Sequence, residues 1–89
     1  MKIYTIDGRK LTDPETAHEY LAETLGFPDY YGKNFDALSD CLSDMGIEFS
    51  ILVNYKAEAI EKLGHWGEIL FKVIEDTAAE YDFRVFYGN

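Results

Sequence analysis

Positive charge is scarce in this chain: eight lysines and arginines face seventeen aspartates and glutamates, a formal net charge of -9 over 89 residues. Such a field repels RNA, DNA and anionic lipid and attracts basic protein surfaces, so neither nucleic acid nor membrane is expected as a direct partner. Cysteine is nearly absent. Cys41 has no intramolecular partner and falls in a helical apolar pattern, which fits a small core residue in a reducing, cytoplasmic setting. No stretch approaches the ~20 apolar residues of a membrane span, and the start MKIYTIDGRK alternates like a strand instead of reading as a signal peptide. Histidine is rare too. His18 and His65 are the only two, neither lies in a zinc or nucleophile motif, and no glycine-rich phosphate loop or EF-hand spacing is present. We therefore expect no enzymatic activity, no metal and no cofactor.

What remains is ample for a core. At 47% apolar and 16% aromatic, the chain is rich enough in hydrophobic residues to pack despite its charge, and its length suits one domain over 1–89. Lys2 to Ile6 alternates as a strand before the turn signal Asp7-Gly8. Asp13-Pro14-Glu15 starts a helix, because the aspartate accepts from orphan N–H groups and the proline loses no bond in the first turn. Its inward positions are Ala17, Tyr20, Leu21, Thr24 and Leu25, Gly26 ends it, and His18 is read as a surface residue. Asn34 caps a second helix that reaches Met45. Phe49 to Val53 reads as a buried strand, Tyr55 to Leu63 as a short helix, Gly67 to Glu80 as a longer one and Phe83 to Tyr87 as the last strand. His65 is placed in the intervening loop and Trp66 as a lid on the core. Strands separated by helices give an α/β fold, a three-stranded parallel sheet packed with three to four helices.

The second helix carries the feature of interest. Leu38, Cys41, Leu42 and Met45 form its inward stripe, while Asp36, Ser39, Asp40, Ser43 and Asp44 line the other side. Three carboxylates at i, i+4 and i+8 oppose the helix by a few tenths of a kcal/mol per pair. Asp36 benefits from the helix dipole, but Asp44 sits at its unfavourable end. No lysine or arginine within the helix offsets them. A solvated acidic face would account for the charges alone. Immediately upstream, however, runs GFPDYYGKN, a loop with Phe27, Tyr30 and Tyr31 beside clustered charge, and such a mixture is typical of interface anchors.

The run Pro28-Asp29-Tyr30-Tyr31-Gly32-Lys33-Asn34-Phe35-Asp36-Ala37-Leu38-Ser39-Asp40-Cys41-Leu42 resembles the signature segment of the barstar family of ribonuclease inhibitors, and the likeness extends over essentially the whole chain. The resemblance implies an inhibitor that blocks a basic, barnase-type ribonuclease without chemistry on it, and a free monomer would best leave its acidic face open. Asp40 would occupy the place of the RNA phosphate, where a carboxylate copies paired phosphate acceptors. Asp36 would meet a basic group or backbone donor at the entrance, and Tyr30 would cover the enzyme's catalytic histidine. Gly32 and Asn34 would shape the loop, with Phe35, Ser39, Ser43 and Asp44 completing the contact set. A further acid on the last helix belongs to that set. Matching Val73-Ile74 points to Asp76, which we favour, whereas counting back from Asp82 points to Glu75. Ser39 stands where the family carries a tryptophan, and the helix end at Met45-Gly46 lacks another aromatic. These departures leave room for a partner other than barnase, and for a barstar-like module that binds another basic protein or toxin.

Overall fold

A computed structural model describes residues 2–46 and 48–89. Strands β1 (Lys2–Asp7), β2 (Phe49–Asn54) and β3 (Arg84–Tyr87) form one parallel sheet in the order β1-β2-β3. Helices α1 (Pro14–Leu25), α2 (Phe35–Ser43), α3 (Lys56–Leu63) and α4 (His65–Tyr81) lie between them, with a 3-10 turn at Gly8–Lys10. The α/β reading of the sequence is what the chain adopts. Central β2 is the most apolar strand because both its edges are paired, while edge strands β1 and β3 carry Lys2 and Arg84, charges that discourage further pairing.

Register decides which side chains meet. Ile6, Val53 and Tyr87 share one row, and Tyr4, Ile51 and Val85 the next. Ile6, Ile51 and Val53 join Leu21 of α1, Leu38 and Leu42 of α2, and Leu70, Phe71 and Ile74 of α4 in a single core. The opposite face of the sheet bears Ile3 and Phe86, both largely exposed.

Local signals set the helix ends. The Asp13 side chain accepts from Thr16 N–H at 2.9 Å, Pro14 follows it, and Gly26 closes α1 with φ of 74°. One boundary differs from the sequence reading. His65 is the first residue of α4 and not part of a loop, because Gly64, with φ of 62°, ends α3 and opens α4 within a single residue. Gly67 makes that sharp junction possible, since a Cβ there would stand 2.8 Å from the Leu63 Cβ. Trp66 is half-buried on the core, its ring 5.0 Å from Phe35 and 5.3 Å from His18.

Among the described residues no helix is long and apolar enough to cross a membrane.

Candidate functional site: the tyrosine loop and helix α2

The loop between α1 and α2 is tied at both ends and in the middle. Phe27 N–H donates to the Ala22 carbonyl at 2.9 Å, and Tyr31 N–H to the Pro28 carbonyl at 3.0 Å. Lys33 takes a left-handed conformation, φ 52°, and Asn34 then caps α2 by accepting from Ala37 N–H at 2.7 Å. The Asn34 amide also donates back to the Gly32 carbonyl at 3.3 Å, which joins the loop to the cap.

The two consecutive tyrosines take opposite roles. Tyr31 is buried beside Phe27, and its hydroxyl lies 2.6 Å from His18 Nδ1. Tyr30 is 87% exposed. Burial raises the Tyr31 phenol above its ordinary value, and it lowers His18, to which the positive charge of Lys33 adds. Both groups are therefore held neutral. This corrects the surface reading of His18, which is only 4% exposed. The residue falls at i, i+3 and i+7 with Leu21 and Leu25, on the buried side of α1, and Tyr31 supplies the hydrogen bond its ring needs.

Helix α2 rests on Leu38 and Leu42, both essentially inaccessible. Burying each contributes about 2 kcal/mol, several times the repulsion between neighbouring carboxylates, so packing holds the acidic stripe in place. Asp36, Asp40 and Asp44 are all exposed. Five acids elsewhere among the described residues form ion pairs: Asp7 with Arg9, Glu19 with Lys33, Glu75 with Lys56, Glu68 with His65 and Asp76 with Lys72. Among the described residues no ion pair includes Asp36, Asp40 or Asp44. Asp40 and Asp44 line one cleft with the exposed Tyr30, on a helix seated on the core.

The remaining site candidates separate. Gly32 and Asn34 are exposed at the loop's end, while Phe35 is half-buried against His18 and Trp66. Ser39 turns toward α4, its hydroxyl 3.0 Å from that of Thr77, which in turn donates to the Val73 carbonyl. Ser43 is half-buried and donates to the Asp40 carbonyl. Glu75 accepts from the Tyr87 hydroxyl and lies 4.0 Å from Lys56, so it faces β3 and α3. Thr77, two positions on and roughly 200° around the helix, faces α2. Asp76 lies between these directions, exposed, with only the i,i+4 contact to Lys72.

Comparison with known proteins shows the family. A family model described as Barstar (barnase inhibitor) matches residues 1–88. The chain belongs to the barstar family. A Bacillus subtilis (strain 168) protein named "Putative ribonuclease inhibitor YrdF" is 33% identical over 81 residues, covering 90% of this chain and 89% of the relative. Sequence reasoning missed His18 as a neighbour of the loop; its helical spacing with two leucines was the available signal.

Proposed function

We propose that this chain inhibits a basic, barnase-type ribonuclease by laying α2 and the tyrosine loop over its active site. Exposed Tyr30, which lines one cleft with the exposed Asp40 and Asp44, is the observation that carries this reading. Asp40 stands in for an RNA phosphate and accepts charge-assisted hydrogen bonds from the enzyme's cationic groups. Asp36 engages the entrance, Tyr30 stacks on an active-site ring, and Gly32, Asn34 and Phe35 hold the loop in shape. Asp76 extends the acidic face on α4 more readily than Glu75, whose carboxylate is engaged at the far side of that helix. The free chain acts as a monomer, which leaves the acidic face open, and serves in the cytoplasm as protection against a nuclease made by the same cell.

Salt sets the test, because unpaired surface charges steer association and are screened within about 10 Å at 0.1 M ionic strength. RNA hydrolysis by a barnase-type ribonuclease should be blocked at one equivalent of the chain, with association at least tenfold slower on raising salt from low to molar. Full hydrolysis at excess chain and low salt would refute the reading.

A second reading, a barstar-family module for a different basic protein, rests on Ser39. Its hydroxyl is spent on Thr77, so this position offers little contact area to a partner. Retention of a non-nuclease basic protein by the wild type, but not by Asp36→Ala with Asp40→Ala, would favour it.

A further inference from the structure

Asp36, Asp40 and Asp44 give α2 an outward face of charge, and the Ser39 hydroxyl is spent on Thr77, so this face offers little apolar area. Stable interfaces bury a core of aromatic and aliphatic side chains within a polar rim. Tyr30 supplies one such group. A second source is a groove of about 410 Å³ where the starts of α1, α2 and α4 come together. Pro14, Phe35 and Trp66, one from each helix, form its apolar walls. The Trp66 and Phe35 rings are half-buried, with centroids 5.0 Å apart and planes inclined by 31°, so each keeps part of its surface open.

We propose that this groove receives one uncharged apolar side chain of the protein partner, packed on the Trp66 and Phe35 rings, which makes Trp66 a partner contact. Naming the partner as a ribonuclease rests on the function proposed above; the apolar character of the occupant follows from the groove itself. Continuity with the tyrosine loop places the groove on the proposed contact face. Asn34 and Phe35 line it, and the Asn34 amide donates back to the Gly32 carbonyl, so a partner covering Gly32 and Asn34 reaches the groove's edge. Trp66 is the chain's only tryptophan, the residue type that most often anchors an interface.

Charge selects the occupant. Glu15 and Lys33 both line the groove, so a cation entering it meets a lysine and an anion meets a glutamate. Lys33 is already engaged, its ammonium 3.1 Å from Glu19. The helix starts do not call for an anion either, because the first turns of α1, α2 and α4 carry Glu15, Asp36 and Glu68 to complement their dipoles. His18 also lines the groove and adds no charge, being kept neutral by burial first and by Lys33 after it. A hydrocarbon or aromatic side chain needs no polar partner and takes the open faces of two large rings out of water.

The full chain made with 5-fluorotryptophan carries a single fluorine label, at Trp66. On adding one equivalent of an unlabelled barnase-type ribonuclease, its resonance should move and its solvent shift between H2O and D2O should fall by about half or more, because the partner covers the ring. Trp66→Leu, which keeps an apolar residue against the core, should weaken the complex roughly tenfold or more through faster dissociation, and Trp66→Phe should recover most of that loss. An unchanged solvent shift in a complex that does form would overturn the proposal and leave the inhibitor reading standing; this readout uses the wild-type sequence and does not depend on how the variants fold. If the ribonuclease is not bound at all, the inhibitor reading falls, and small probes decide the groove. The nitrogen-15 chain is then titrated with the amides of N-acetyl-phenylalanine, N-acetyl-arginine and N-acetyl-glutamate at matched ionic strength. Saturable shifts with the phenylalanine probe at residues 14–18, 33–35 and 66, and binding of both charged probes roughly threefold weaker or more, would sustain the apolar site. Equal binding of the three, or no shifts at those residues, would overturn it.

Discussion

His18 Nδ1 and the Tyr31 hydroxyl meet at 2.6 Å in the interior, and this bond fastens the tyrosine loop to α1. Its consequence is felt one residue away. With Tyr31 anchored, Tyr30 is presented to solvent from a fixed backbone. The imidazole is enclosed by the rings of Phe35 and Trp66 as well as Tyr31, so a proton on it would place a charge among aromatic edges with its one hydrogen bond at stake.

Stability should therefore depend on pH through His18. Its folded value is lowered, so the unfolded chain takes up the proton first, and the stabilisation is complete above the unfolded value of about 6.5. It is lost as pH falls from there through the folded value, with a slope of at most about 1.4 kcal/mol per pH unit for one proton. Urea unfolding between pH 8 and 5 should show this slope, and His18→Gln should flatten it relative to wild type. Identical slopes would contradict the assignment.

The capping amide of Asn34 serves both the helix and the loop. Asn34→Ala removes the bond to Ala37 N–H and the link to Gly32, and should cost about 1 kcal/mol of stability. Amide hydrogen exchange should rise first in residues 30–37, ahead of the sheet. Unchanged exchange there would show that the loop is held by Tyr31 alone.

These three residues show what could be read from the sequence. Asn34 was legible as a cap because N-caps are local, as were Asp13-Pro14 and Gly26, and the alternation of three apolar strands with helices led to the parallel sheet. His18 was not, since a polar residue is discounted in a hydrophobic pattern and its partner Tyr31 lies thirteen positions away in a loop. The α3–α4 junction was blurred for a different reason. Gly64 and Gly67 both signal loop by composition, yet one supplies a left-handed turn and the other a close helix contact. For Ser39, a small hydroxyl fits an outer face or a helix interface equally well, and only the fold brings Thr77 to it across 38 positions.

Ser39 should accordingly be structural. Ser39→Ala leaves the Thr77 hydroxyl bonded to the Val73 carbonyl, so the loss should be near 1 kcal/mol in thermal or urea unfolding, with ribonuclease inhibition changed less than threefold. A tenfold loss of inhibition at unchanged stability would instead make Ser39 a partner contact.

The two acids of α4 should behave differently. Asp76→Ala frees a surface position beside Lys72 and should weaken inhibition without lowering stability. Glu75→Ala removes the acceptor of the Tyr87 hydroxyl at the β3 edge and should lower stability while leaving inhibition intact. Paired unfolding and inhibition assays check both, and an interchange of the two outcomes would reassign the contact to Glu75.

The central claim is that Asp40 occupies the enzyme's phosphate position by virtue of its charge. The most direct measurement is the Kd of the complex with a barnase-type ribonuclease for wild type and for Asp40→Asn, which keeps the shape of the side chain and removes its charge. We expect a loss of about 2 kcal/mol or more, roughly 30-fold, with the unfolding midpoint of the free chain preserved. An unchanged Kd for the folded Asp40→Asn protein would contradict the claim.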